Sequence, residues 1–445
     1  MEFQIEDRII SDDNYFGTVR YKGSVEGFEG LWYGIEWDSS SRGKHRGNFK
    51  GKQYFDCQYS DSSASFMKIE KLQQNRKTFM QALKQKFSEA IGDYNDLYVL
   101  SNLNNKVQIE MVGMDKVRER QQHLQNHLEM PADNLLIYDI DPQPLIIESM
   151  GNNLQELNIS NNLLNNWSHV SNLIVQLPIL YKLSLNGNRL KLNSTELVEI
   201  SNCSIKYLVL MEMKLQWYEI ITLCKKLFRV VENLKLGKNH LSTIPMTENI
   251  NDIFPHLKQL DLSFNGIRNL ESIVQLGSLS QLQELNLNNN DIDLMELNST
   301  QYPLSQLTNK LSIFSHVEIL YLSNNQINNW KEIEYLDHFC NLKELSFRDN
   351  PIIDSLLNQT DEQTDTMILN RLNVIPRISS LLKLNLTNIT EKERKNSEGS
   401  FIYEYYNPND PSLNSKKINS LVAQYGVPYS CKIKLINDKN NNIES

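Results

Sequence analysis

The sequence predicts a multidomain chain: a small all-β module followed by a longer α/β solenoid of stacked repeats. Between Gly17 and Lys71, short runs rich in Val, Ile, Tyr and Trp are each closed by Gly or Ser clusters, as in a compact β-domain with many turns. From Leu154 onward one apolar frame, Leu-x-x-Leu-x-Leu-x-x-Asn-x-Leu, recurs. At 445 residues the chain is long enough for two or three domains with cores of their own.

The first module reads Gly17-Thr-Val-Arg-Tyr21, Gly30-Leu-Trp32-Tyr-Gly34-Ile-Glu-Trp37-Asp38, Gly43-Lys44-His45-Arg46-Gly47, Tyr54-Phe55-Asp-Cys57 and Phe66-Met-Lys68. Three strands bearing Trp or Phe in about fifty residues carry more aromatic surface than so small a core hides, so part of it should line a groove. The plain alternative is that the tryptophans are core.

The repeat frame begins at Leu154, Leu180, Ile205, Val231, Leu257, Leu282, Val317 and Leu342. Successive starts lie 25 or 26 residues apart, with one step of 35. That period is the leucine-rich-repeat signature, one strand and one return per turn, stacked as a horseshoe. Asn162, Asn188, Asn239, Asn265, Asn290, Asn325 and Asn350 close the strands, where a side-chain amide can satisfy turning backbone groups. Met213 replaces the third asparagine, and a locally loosened stack is expected there. The long step, with Asn298–Pro303, should bulge as a loop. Alternation sends frame positions three, five and seven to the concave face, including Lys182, Tyr207, Val209, Met211, Lys235, Asp261, Glu284, Ile319, Tyr321 and Arg348. Tyr207, Val209, Met211, Lys235 and Tyr321 are candidates for a partner surface.

Between the modules, Phe79, Leu83, Phe87 and Ile91 recur at i+4, predicting an amphipathic helix with a basic outer face that packs on the start of the array. Val107–Gln121 reads as a strand and a charged helix. Thr390 and Glu393 form a capping box. The expected boundaries are 1–72 for the β-module, 73–106 for the helical linker, 107–153 for an N-terminal cap or degenerate repeats, 154–370 for the repeats, 371–414 for their C-terminal cap, and 415–445 for a tail holding one strand at most, Cys431–Ile436.

Composition narrows the function. A net charge of −9 without a long Lys/Arg run disfavours nucleic acid. The five cysteines are scattered, which argues against a disulfide framework and a zinc site and fits a reducing cytosol. The acidic N-terminus is no secretory signal, and no run of apolar residues is long enough to span a membrane. Phosphate-loop and nucleophile-elbow motifs are absent, so no enzyme and no cofactor is expected.

The Gly17–Lys71 pattern resembles the CAP-Gly domain, which binds acidic, aromatic-ended C-terminal tails of tubulin and plus-end proteins. The resemblance implies carboxylate capture: Lys44 meets the carboxylates of a Glu-Glu-Tyr type tail, Trp32, Trp37 and Phe66 wall the aromatic slot, and His45, Arg46, Phe55 and Lys68 complete the site. Two features differ from the family. Its loop is usually Gly-Lys-Asn-Asp-Gly, with His45 and Arg46 here. A phenylalanine usual five residues before Trp32 is Gly27, with Phe28 beside it. The order of parts, with Ile109-Glu-Met-Val-Gly-Met-Asp-Lys-Val-Arg-Glu-Arg-Gln121 between helix and repeats, resembles the tubulin-folding cofactor E family over about residues 1–430. This implies a cytoplasmic, cytoskeleton-associated, non-enzymatic chaperone of α-tubulin working with tubulin-folding cofactors B, C and D. The alternative is a microtubule-associated adaptor whose repeats recruit another protein. The family's C-terminal ubiquitin-like domain is too large for the residues after Ser415, so 415–445 is expected to be a tail, a remnant or the start of that region.

Overall fold

A computed structural model describes residues 2–58, 62–89, 98–100, 106–108, 124, 127–142, 146, 153–193, 197–293, 314–353, 366–407 and 415–427. The chain divides into two units: Met1–Lys214 with Glu219–Val231, and Leu215–Tyr218 with Glu232–Ser445. Among the described residues no helix is long and apolar enough to cross a membrane.

The first unit opens with an antiparallel sheet of β1 (Arg8–Ile10), β2 (Phe16–Gly23), β3 (Trp32–Trp37) and a fourth strand, Ala64–Met67, paired in that order. Residues two apart share a sheet face. Tyr33, Ile35 and Trp37 therefore point together into a core with Phe3, Ile9, Val19 and Leu72. Trp32, Gly34 and Glu36 lie on the other face.

The linker is not a free tether. Lys77–Thr78 pairs in parallel with Ile137–Asp139, and α1 (Phe79–Glu89) follows at once. Phe79 and Leu83 are fully buried, Phe87 packs 5.0 Å from the His127 ring, and Lys86 donates to the Pro131 carbonyl. The helix thus packs on the start of the array, as its apolar stripe predicts. Ile91 and residues 109–121 lie outside the described residues.

Parallel strands begin at Glu129–Pro131, one strand ahead of Leu154, and continue through Glu156–Asn158, Lys182–Ser184 and Tyr207–Val209. Met130, Leu157, Leu183 and Leu208 align in register and are buried. In the second unit Leu234, Leu260, Leu285, Leu320, Leu345 and Leu384 align in the same way. The register from Leu285 to Leu320 is unbroken across the long step. The inserted residues, Asn298–Pro303 among them, lie outside the described residues.

The asparagines are buried and act as expected. Asn290 Oδ1 accepts from the amides of Asn265 and Ile267, and its Nδ2 donates to the carbonyls of Leu262 and Leu287 at 3.1 and 3.0 Å. The residue before each asparagine position turns with positive φ, from Asn161 (53°) and Gly187 (71°) to Phe264 (58°) and Asp349 (51°). At the Met213 break the ladder adapts. The Asn188 amide bonds the Leu185 carbonyl at 3.3 Å, where the corresponding Asn162 amide reaches the next asparagine at 3.1 Å. Met213 itself is buried, so the site stays closed.

The second unit ends in a helical cap, Thr366–Val374, Glu391–Tyr405 and Lys416–Tyr425. Thr390 Oγ1 accepts from the Glu393 amide at 3.2 Å, and the Glu393 carboxylate is held below its usual range by Arg371 and by the Thr390 backbone, which completes the capping box. The expected tail of one strand at most is corrected: Lys416–Tyr425 is a helix capped by Ser415, and its Ile418 and Leu421 pack on Phe401 and Ile402. Residues 431–436 lie outside the described residues.

Candidate functional site: an aromatic groove with a cationic rim

A cavity of about 230 Å³ opens on the N-terminal module, lined by Val25, Phe28, Trp32, Arg42, Lys44, His45, Phe49, Ser65, Phe66 and Met67. One arginine and one lysine, Arg42 and Lys44, line it, and none of these ten residues is acidic. Small-molecule pockets usually occupy roughly 300–1,000 Å³, so this space suits one or two side chains of an extended peptide.

The loop that supplies Lys44 is fixed by sterics and backbone pairing. A Cβ on Gly43 would lie 1.9 Å from the Ser62 carbonyl oxygen, and one on Gly47 (φ 95°) would lie 1.9 Å from that of Phe55. Glycine alone fits such close approaches. Between them, the amides of Lys44 and His45 donate to the Ala64 carbonyl at 2.7 and 3.3 Å, and the Ala64 amide donates to the His45 carbonyl at 2.9 Å. Lys44 is thereby held at the cavity with its side chain exposed.

The aromatic wall has a different membership from the expected one. Trp32 is half-buried and Phe66 half-buried, and both line the cavity. Trp37 is 0 % exposed, in the core, and its expected place in the slot is corrected. The reason is the strand period: Trp32 and Trp37 stand five apart in β3 and face opposite sides. Arg42 covers the Trp37 ring at 4.9 Å and pairs with Asp13 at 3.0 Å. Phe55 does not line the cavity. It supports Phe66 at 5.7 Å and packs where a Cβ on Gly34 would lie 2.2 Å from its ring. Lys68 stands 5.3 Å over the Trp32 ring, while Arg46, on the same loop as Lys44, is not a lining residue.

Phe28, which the sequence marks only as the neighbour of Gly27, and Phe49, which it does not single out, both line the cavity. Phe28 is 48 % exposed and lies 5.3 Å from Trp32 and 5.4 Å from Phe49. The Phe28 amide closes a turn onto the Val25 carbonyl at 3.0 Å, with Gly27 at φ 83°. A positive φ at that turn position favours glycine, which displaces the ring to residue 28. The adjacent Gly27-Phe28 pair was the signal.

The His45 ring stacks on Phe66 at 5.1 Å, and its Nδ1 accepts from the Gly47 amide at 3.0 Å. Burial, then the Lys44 charge, push its pKa below the usual histidine value. Among the described residues no group of three or more His, Cys, Asp or Glu is placed to hold a metal ion.

The candidate repeat-surface residues divide between the two units. Tyr207 is half-buried with the Lys182 ammonium 5.3 Å over its ring, and Met211 is half-buried. Val209 is 7 % exposed, so its expected place on the surface is corrected. In the second unit Lys235 and Tyr321 are half-buried. Burial and then Glu284, to which the phenol is hydrogen-bonded, raise the Tyr321 pKa.

Fold and groove together define a CAP-Gly module joined to leucine-rich repeats. The CAP-Gly domain family matches residues 5–72. Tubulin-specific chaperone E of Dictyostelium discoideum is 40% identical, over 99% of this chain and 97% of that protein. Tubulin-folding cofactor E of Arabidopsis thaliana is 29% identical, over 88% of this chain and 71% of its own length. A solved structure, the Bik1 CAP-Gly domain with an ETF peptide from Bim1, aligns at 29% identity over 15% of this chain and 77% of that one, with a TM-score of 0.14. The chain belongs to the tubulin-specific chaperone E family, also called tubulin-folding cofactor E.

Proposed function

We propose that this protein is a tubulin-folding chaperone that grips the acidic C-terminal tail of α-tubulin in the N-terminal groove while the repeats contact the tubulin body. Family membership supports the chaperone role. The observation that carries the tail assignment is the pairing of Lys44 with an apolar slot lined by Trp32, Phe28 and Phe66 and free of acidic lining residues. An aromatic chain end fits the slot, and its carboxylates meet the ammonium. Hand-off to cofactors D and C, and dimer disassembly with cofactor B, are the partner steps this role entails.

An exposed ion pair contributes about 0.2–1 kcal/mol, so Lys44 acts with the aromatic contacts and with a second contact on the repeats. Lys44→Ala should weaken binding to a peptide ending in Glu-Glu-Tyr severalfold and flatten its salt dependence, as measured by calorimetry. Unchanged affinity rejects the groove assignment. Preference for soluble dimer over assembled microtubules separates a chaperone from an adaptor that decorates the lattice.

A further inference from the structure

We propose that His45 is a positioning residue of the groove: its neutral imidazole struts the Gly43–Gly47 loop so that Lys44 faces the slot, and protonation of the ring releases the loop and weakens carboxylate capture. The inference rests on the tail-capture reading above and deepens it by adding a proton-dependent control.

The geometry fixes the protonation state that the strut needs. The Gly47 amide is a donor, so Nδ1 must be an acceptor, and the single imidazole proton sits on Nε2. An imidazolium has donors at both nitrogens and cannot accept that bond. Stacking on Phe66 holds the ring in the plane where Nδ1 meets the amide, and the pairing of the His45 backbone with Ala64 holds its Cα. One side chain therefore ties the second glycine of the loop to the aromatic wall. The loss of that bond acts on Gly47, three residues from the ammonium that the loop presents.

The charged side chains that share the cavity wall with the ring are Lys44 and Arg42, and Arg46 follows it in the loop. The strand Ala64–Met67 beneath the ring carries no titratable side chain. Burial, then the Lys44 ammonium, oppose a proton on the ring, so the strut is intact at neutral pH.

The consequence has a sign that simple electrostatics does not share. Acidification adds positive charge to a groove that binds carboxylates, and charge alone would tighten binding while the ligand's glutamates stay ionised. Loss of the strut weakens it.

The test uses the full chain and a peptide ending in Glu-Glu-Tyr, titrated from about pH 8 to about pH 5, which spans the histidine range and its lower end, where a depressed imidazole takes its proton. Wild type should lose roughly two- to tenfold in affinity on acidification, the range one net hydrogen bond commands. His45→Asn carries an acceptor oxygen at the δ position and does not titrate, so its affinity should stay level or rise. His45→Leu should be weak throughout. Tighter wild-type binding at the acid end, or a parallel fall in His45→Asn, overturns the proposal. A ligand-free readout separates it from the tail assignment: hydrogen exchange of the Gly47 amide at about pH 7.5 should be slow in wild type and His45→Asn and faster in His45→Leu. Equal exchange in all three proteins overturns the strut. Slow exchange with no peptide bound by wild type sustains the strut and rejects tail capture.

Discussion

Asp38 of the N-terminal module lies 3.8 Å from Arg189 of the second repeat in the frame beginning at Leu180. The same carboxylate is held bidentately by Arg8 at 2.7 and 2.6 Å, and Arg8 is 1 % exposed. Nearby, Asn165 donates to the Glu6 carbonyl at 3.0 Å, Lys191 lies 3.6 Å from the Glu6 carboxylate, and Arg76 pairs with Asp7 at 2.8 Å. Asn165, Arg189 and Lys191 follow the asparagine positions of their repeats, so one edge of the array carries the module. Within the first unit the groove is thus docked on the repeats by a row of charges. Docking of this kind raises the effective concentration of one binding site near the other.

Asp38→Asn should destabilise the first unit by about 3 kcal/mol, because Arg8 would be left in the interior without its countercharge. Arg189→Ala, which leaves the Arg8–Asp38 pair intact, should cost less while loosening the docking. Denaturant midpoints check the first effect, and hydrogen exchange along β1 and the Asn165–Lys191 segment checks the second. Equal midpoints for wild type and Asp38→Asn would contradict this account.

Burial raises the Asp38 pKa, but the charge and hydrogen bonds of Arg8, then Arg189 and Lys214, outweigh it and hold the carboxyl below the usual aspartate range. A carboxyl depressed by folding contributes stability above its unfolded titration and loses it as pH falls through the folded value. Docking should therefore persist down to about pH 4, the ordinary aspartate range, and loosen only below it. Asp38→Asn should lack that acid step. A docking transition near neutral pH would show that another group governs it.

Asn290→Ala should cost about 3 kcal/mol or more, since it strands two backbone donors and removes the partner of two buried carbonyls. Thermal unfolding followed by circular dichroism measures the loss. A change below about 1 kcal/mol would mean that the repeats re-satisfy those groups themselves.

Gly43→Ala should abolish peptide binding while the repeats keep their far-UV signal. Its Cβ meets backbone at 1.9 Å, and the loop must leave Ala64 to accommodate it. Wild-type affinity in this variant would show that the loop geometry does not set the groove.

Much of the groove was legible in the chain. Gly43, Lys44, Gly47 and Phe66 stand in an order that only a narrow set of loops uses, and Trp32 follows with them. Trp37 was placed wrongly although its spacing held the answer: an odd separation within one strand sends two side chains to opposite faces. Phe28 was visible as a neighbour of Gly27, but the positive φ that moves the ring by one residue is a property of the folded turn. Val209 was assigned from alternation alone, which gives the face of a strand and not what covers it.

The sequence by itself determined the two architectures, because a repeating frame of leucines and asparagines is a local constraint imposed turn after turn, and glycine spacing limits which loops can close. Only the tertiary structure decided that Asp38, Glu6 and Asp7 meet Arg189, Lys191 and Arg76, and that His45 bonds Gly47 while resting on Phe66. Those contacts join residues whose pairing has no period and depends on how one packed surface meets another, and such complementarity exists only once both surfaces are built.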